Sequence, residues 1–296
     1  MQNIHYGTGR FESKIYIREA ELKPSTLERD FGREAFGTDP ANYHAARPPY
    51  PEATWQVLRE RANLGPGIDI LEIGAGTGLA TVQLLAEQPS RLVAVEPDIR
   101  LIDFLRTTVI DPRLQVLAKS FEDVDLPPSS FDLVASATTF HWLDAVPALR
   151  RIHGLLPPSG AVALWWNVFG DSSRPDPFHD ATTHFFVGQR TSLSGGGTDR
   201  PPHALDADAR IQDLTDAGFV PNPPEFMHWT LSLDASGVRS LYATYSNVTV
   251  LPPAERADLL DALAEVATRE FANHVERNMT TAIYTARLAP LRQGLR

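Results

Sequence analysis

Residues 70–78 read Ile-Leu-Glu-Ile-Gly-Ala-Gly-Thr-Gly, and this nine-residue run constrains the fold more than any other part of the chain. A short apolar segment runs directly into three alternating glycines. Leu79 to Ala86 follows with apolar residues at helical spacing. The pattern predicts a strand, a tight turn and a helix. Glycine lets the backbone turn sharply and lets a ligand approach the main chain. In an open α/β sheet such a turn lies at the carboxyl ends of the strands, where ligands bind. The same rhythm continues with apolar runs at Arg91–Val95, Leu114–Ala118, Phe131–Ala137 and Ala161–Trp166. Helical patterns at Ile99–Arg106 and Ala145–Leu156 lie between them. Strands alternating with helices imply βαβ units and a mostly parallel sheet. Runs this apolar imply strands covered on both faces.

The regular pattern weakens after Asn167. Residues 168–205 contain SSRPDP and SLSGGGTDRPP and resemble neither strand nor helix. An irregular insertion of this length in a compact domain is usually a lid or binding loop. A helix is expected over Asp206–Ala217, ended by Gly218. Phe226–Leu233 alternates like a strand, Ala254–Val275 has an amphipathic helical pattern, and Thr281–Leu288 reads as a last strand. The expected architecture is a doubly wound, seven-stranded α/β sheet whose late strands form an antiparallel hairpin at one edge. Residues 1–35 read as an N-terminal extension, and 36–296 as one domain in which 168–205 covers the substrate. Pro51 stands where a short helix through Trp55, Leu58 and Ala62 can begin.

Composition removes several kinds of chemistry. The chain has no cysteine, which excludes disulfides, thiolate metal sites and a cysteine nucleophile. Its nine histidines form no HExxH or H-x-H cluster, so no metal centre is expected. A net charge of −10 without a dense Lys/Arg run disfavours nucleic acid as partner. No stretch approaches 18 uninterrupted apolar residues, and the N-terminus lacks the apolar core of a secretory signal. The expectation is a cytoplasmic protein, monomer or homodimer, acting on a small molecule and not at a membrane.

Glu96 closes the second strand, 24 positions after Glu72. An acidic residue about 20 positions beyond such a turn is placed to accept ribose hydroxyls. A dinucleotide fingerprint would require glycine at position 79, which is Leu79. Glu72, just before the glycines, suits a cationic ligand better than a pyrophosphate. A nicotinamide-dependent oxidoreductase and a non-catalytic binding protein remain as alternatives.

At these residues the chain resembles the class I S-adenosylmethionine-dependent methyltransferases. LEIGAGTG resembles their first motif and VAVEPD the end of their second strand. KSFEDVDLPPSSFDLVASATTFHWLD resembles their adenine loop and fourth strand, and LLPPSGAVALWW the turn into their fifth. ANYHAARPPYP together with FHW is most similar to the branch of trans-aconitate methyltransferases and related small-molecule enzymes. The resemblance spans residues 36–167 and continues weakly through 206–290.

The resemblance implies a Rossmann-like fold with S-adenosyl-L-methionine as cofactor. It implies transfer of a methyl group to a small molecule, with a carboxylate or hydroxyl oxygen favoured. Carried over by position, Glu72 orients the backbone around the methionine amino group, and Gly74, Ala75, Gly76 and Gly78 line the cofactor. Glu96 holds the ribose beside Pro97, while Ser120, Phe121 and Glu122 surround the adenine. Ser120 and Phe121 stand where many relatives have Asp. Thr138, Phe140 and His141 flank the sulfonium, with His141 the candidate general base. Tyr43 and Arg47 belong to a segment that closes over the cofactor.

Other readings of these residues stay open. Glu122 and Asp123 can be a solvated loop, Tyr43 and Arg47 surface residues, and Trp165 and Trp166 core and rim. Within the insertion, His179, His184 and His203 are further candidate bases. Arg174, Arg190 and Arg200 are candidate anion clamps. Phe178, Phe185 and Phe186 are an expected apolar wall, with the SGGG run giving freedom for closure.

Overall fold

The structure is a computed structural model, and it describes residues 27–28, 35–169, 174–196 and 201–289. Five strands form the parallel part of the sheet: β1 (Asp69–Ile73), β2 (Arg91–Glu96), β3 (Leu114–Ala118), β4 (Leu133–Ala137) and β5 (Ala161–Phe169). Three more strands follow: β6 (Phe219–Pro221), β7 (Glu225–Leu233) and β8 (Val275–Leu288). The order across the sheet is β3-β2-β1-β4-β5-β8-β6, with β7 also paired to β8.

Successive residues along the inner strands face opposite ways. Ile70, Leu92 and Leu133 pack with Trp55, Leu58, Leu84 and Leu105 on one face. Leu71, Val93 and Val134 pack with Leu149, Ile152 and Leu214 on the other. The first face is covered by α2 (Glu52–Ala62), α3 (Leu79–Ala86) and α4 (Ile99–Thr108), which follow the short α1 (Pro40–Ala46). The second is covered by α5 (Ala145–Leu155) and α7 (Ala207–Asp216), with α6 (Pro177–Thr182) lying between them in sequence. Period-two alternation on a sheet buried on both faces makes the strands read as unbroken apolar runs.

The late strands refine the sequence expectation. β8 begins at Val275, not Thr281, and it lies inside the sheet rather than at its edge, antiparallel to β5. β6 and β7 both pair with its other side, with Pro221 opposite Ala286 and Glu225 opposite Ile283. Four steps on one strand against three on the other make a one-residue bulge at Asn222–Pro224. Asn222 bridges it, its backbone N–H donating to the Thr285 carbonyl at 2.9 Å. The eight segments therefore fill seven sheet positions. β7 and β8 pair antiparallel, but α8 (Ala235–Tyr242), α9 (Ser246–Thr249) and α10 (Pro253–Arg269) separate them in the chain. The helix expected over 254–275 ends at Arg269, because Ala272 and Asn273 turn through positive φ before β8 starts.

β5 runs four residues beyond Trp165, the partner of the last β4 residue, and pairs there with the start of β8. The two strands and β7 thus project past the carboxyl edge of the parallel sheet. A third core cluster sits on this projection, with Val238, Tyr242, Leu259, Leu263 and Val275. Among the described residues no helix is long and apolar enough to cross a membrane.

Candidate functional site

A cavity of about 1080 Å³ opens where the carboxyl ends of the parallel strands meet the projecting wall. Its lower part is made by the turns after β1, β2, β3 and β4. Gly74 and Gly76 have φ of +72° and +57°, the left-handed region that favours glycine. They differ in what surrounds them. A Cβ at Gly74 would lie 2.1 Å from Thr139 Cγ2, so Gly74 is required by the β4 turn packed on it. A Cβ at Gly76 would meet nothing within 4 Å, and Gly76 lines the cavity. That open space above the main chain is what a bound cofactor needs.

Glu96 points into the same turn. One carboxylate oxygen accepts the Gly76 N–H at 3.0 Å and the other the Asp98 N–H at 3.0 Å. The backbone therefore fixes this carboxylate at the cavity wall. Glu72 is buried, at 1% exposure, and accepts from the Thr81 hydroxyl at 2.7 Å. Burial raises its pKa to about 7, against the Thr81 bond and with help from the nearby Glu96 charge. A buried acid beside a second acid gains from a cation arriving between them.

Ala75, Pro97, Ser120, Phe121 and Glu122 also line the cavity. Arg151 stacks over the Phe121 ring at 5.1 Å. Ser120 donates to Asp123 at 2.6 Å, which turns that carboxylate back onto the loop. Thr138, at φ +54°, shares a 2.8 Å hydrogen bond with the Tyr50 hydroxyl. Tyr50 packs edge-on against Trp55 and Trp165, and burial raises its pKa above the ordinary phenol value.

Tyr43 and Arg47 reach the cavity from the segment before α2. Asn167, at the end of β5, holds that segment by donating to the Pro48 and Pro49 carbonyls at 3.2 Å. Arg47 donates to the Thr244 carbonyl at 2.8 Å and lies over the rings of Tyr43, Tyr245 and Phe169. Phe36 meets both Tyr43 and Trp142 edge-on.

Several expected site residues sit elsewhere or behave differently. Gly78 is outside the cavity wall; it caps α3 at φ +90° and gives room to Leu105. Phe140 is in the core, beneath the wall formed by its neighbours. His141 lines the cavity, but its Nδ1 accepts the Trp166 indole N–H at 3.1 Å, and burial with the nearby Arg47 pushes its pKa down to about 3. An indole only donates, so the neutral ring carries its proton on Nε2. The geometry suits a hydrogen-bond donor and not a base.

Phe178 is not an apolar wall for substrate: it is buried between Tyr242 and Phe271. Of the three phenylalanines only Phe186 lines the cavity, and Phe185 packs on the third core. His179 lines the cavity; His184 stacks on Phe185, and His203 contacts Arg210. Arg190 lines the cavity, whereas Arg174 is used on the β8 backbone at Met279. Arg200 lies outside the described residues, as do Gly197 and most of 1–35. Ser194, Gly195 and Gly196 line the wall, tied down by the His203 N–H on the Ser194 carbonyl. Tyr50, Trp142, Tyr242, Tyr245 and Arg277 also line it, and sequence reasoning did not single them out.

The methyltransferase domain family matches residues 71–164, from β1 to β5. An uncharacterised methyltransferase of Schizosaccharomyces pombe is 26% identical over 260 residues, 86% of this chain and 98% of that protein. A solved structure from Anaeromyxobacter dehalogenans, named a type II methyltransferase, is similar with a TM-score of 0.59 at 24% identity, covering 82% of this chain and 99% of that one. Phosphoethanolamine N-methyltransferase 2 of Haemonchus contortus, solved with S-adenosylhomocysteine, shares the fold at a TM-score of 0.54 and 15% identity, over 88% of this chain and 59% of that one. The family match falls on the strand ends and turns that carry Glu72, Gly76 and Glu96: the chain carries a methyltransferase domain that uses S-adenosylmethionine.

Proposed function

We propose that the methyl acceptor is a small molecule and that its oxygen, a carboxylate in preference to a hydroxyl, receives the methyl group. One observation carries this reading: the cavity is covered on the side facing away from the glycine turn. Ligand pockets run to about 300–1,000 Å³ for a single small ligand. The 1080 Å³ here suits a cofactor and a compact second molecule. The cover is built in: Leu27 N–H donates to the Thr191 carbonyl, and Arg174 and Asp176 bond to β8.

S-adenosylmethionine supplies a methyl group on a positively charged sulfur, open to in-line displacement by an oxygen nucleophile. The chain's own residues hold and shield it. Glu96 takes the ribose, Glu72 faces the cationic amino-acid end, and Phe121 and Glu122 flank the adenine. Tyr50 and Thr138, joined by their hydroxyls, would bound the space beside the methyl donor. His141 offers an N–H, its other nitrogen being taken by the Trp166 indole, so it does not act as the base. A carboxylate acceptor needs none, because it is ionised at neutral pH.

The test is incubation of the purified protein with methyl-labelled S-adenosylmethionine and fractionated cell extract. Label is expected in the small-molecule fraction, as a base-labile ester. Label confined to protein or RNA overturns the reading.

A further inference from the structure

The charges lining the cavity are segregated. Among the described lining residues the acids are Glu72, Glu96 and Glu122, at the carboxyl ends of β1 and β2 and on the turn after β3. The arginines are Arg47, Arg190 and Arg277, on the N-terminal segment, the cover and the projecting start of β8. Arg277 is the unusual one. It is 2% exposed and lies over the rings of Phe178 and Tyr242. Its Nε donates to Asp176 at 2.8 Å, and one terminal nitrogen donates to the Tyr242 hydroxyl. Asp176 does not line the cavity, so the balancing charge sits behind the guanidinium and its positive side faces the ligand space.

Beside it stands Tyr245, which also lines the cavity. Its hydroxyl is buried, has no hydrogen-bond partner within 3.5 Å, and lies close enough to the Arg277 guanidinium to interact with it, so its own proton has no acceptor. The Arg277 and Arg47 charges both act on this phenol. A buried hydroxyl left unpaired costs stability unless a ligand satisfies it. A guanidinium with a hydroxyl next to it is a donor set for an oxyanion. The surrounding wall, with Phe36, Trp142 and Phe186, is aromatic.

We propose that Arg277 and Tyr245, with Arg190 from the cover, form an anion-binding subsite that holds a carboxylate or phosphate group of an acceptor with an apolar body. This rests on the reading that one cavity holds cofactor and acceptor together. Asp176 also caps α6 through the His179 N–H, so the same carboxylate that backs the arginine fixes the root of the cover. The subsite is thus preformed.

The test is calorimetric titration of the intact protein with benzoate, phenyl phosphate and the uncharged benzamide, each with and without S-adenosylhomocysteine. At least one anion is expected to bind about tenfold or more tighter than benzamide, the span of a charge-assisted hydrogen bond. Whichever of the two anions binds tighter identifies the headgroup as carboxylate or phosphate. Tyr245→Phe and Arg190→Gln leave no partner unpaired, and each should weaken the anion by about fivefold or more while moving benzamide and S-adenosylhomocysteine by less than about twofold. Arg277→Gln with Asp176→Asn keeps a neutral hydrogen-bonded pair and should abolish the preference for anions. A purely structural Arg277 would lower the melting temperature of that double variant and leave the preference intact. Benzamide binding as tightly as both anions, no binding of either anion, or anion binding indifferent to both single variants overturns the subsite. Loss of S-adenosylhomocysteine binding alone, with anion selectivity kept, would fault the shared-cavity reading and not the subsite.

Discussion

Glu96 and Glu72 are both buried acids at the glycine turn, but their surroundings give them opposite properties. Two backbone N–H groups fix the orientation of Glu96 before any ligand arrives. Removing it by Glu96→Ala should weaken cofactor binding by about 1–3 kcal/mol, through loss of a charge-assisted acceptor and a looser Gly76 turn. Calorimetric titration checks this, and unchanged affinity would mean that Glu96 does not touch the ribose. Glu72 has one hydroxyl donor and a like charge nearby, and its pKa is pushed up to about 7. The folded state therefore keeps a proton that the unfolded chain loses near pH 4.5. Its contribution to stability is complete below that pH and is lost as pH rises through about 7. Glu72→Gln should raise the melting temperature of the ligand-free protein at pH 8 and leave it nearly unchanged at pH 4.5. In the native protein, a cationic ligand should bind with release of a proton below pH 7, seen as a buffer-dependent heat that Glu72→Gln removes.

The N-terminal segment and the cover act as elements. Gly37 sits against the Asp98–Arg100 pair, and a Cβ there would lie 2.1 Å from Asp98 Oδ2. Asp98 also caps α4, so it has little freedom to give way. Gly37→Ala should lift the segment carrying Tyr43 and Arg47, weakening cofactor binding by about 1–3 kcal/mol, the usual span for overpacking. Faster proteolysis between residues 35 and 50 would accompany it; a segment equally protected in both proteins would show that the strap does not depend on this contact. The cover is bound more firmly. Arg174, Asp176 and Asn278 join its root to β8, and Phe185 and Phe186 pack on the third core. Shortening 182–200 should abolish turnover and leave cofactor affinity nearly intact, as the cofactor turns lie elsewhere. It should also lower the melting temperature by uncovering Tyr242 and Val238. Unchanged turnover would place the acceptor outside the cover.

Across the whole molecule, the site lies between two structures of different kind. The parallel sheet, buried on both faces, carries the cofactor turns. The projecting part of β5, β7 and β8, with its own core, carries Arg277, while Arg47 and Arg190 come from the N-terminal segment and the cover. Ligand binding should therefore protect two separate sets of amides from hydrogen exchange. S-adenosylhomocysteine alone is expected to slow residues 35–50, 72–78 and 96–98, and an anionic acceptor analogue to slow 186–195 and 242–247. Protection of both sets by the cofactor alone would mean that the two halves close as one unit.

Local amino-acid order specifies the parallel half. Strand, glycine turn and helix are encoded in consecutive residues, and Glu96 follows from strand length alone, so Ile70–Gly78 and Arg91–Glu96 were legible. Tertiary structure decided the rest, because its contacts join residues far apart in the chain. Asn167 holds Pro48, next to the Tyr43–Arg47 segment, from 119 residues away, and Arg277 meets Asp176 across 101. β6 is three residues long and separated from β7 by a bulge, too short to give a period. Phe178 and Phe186 look alike in sequence, yet α6 turns one into a core and leaves the other on a cavity. His141 shows the same division: its place after β4 was written in the motif, but only the Trp166 indole beside it, 25 residues on, decided that its free lone pair is taken.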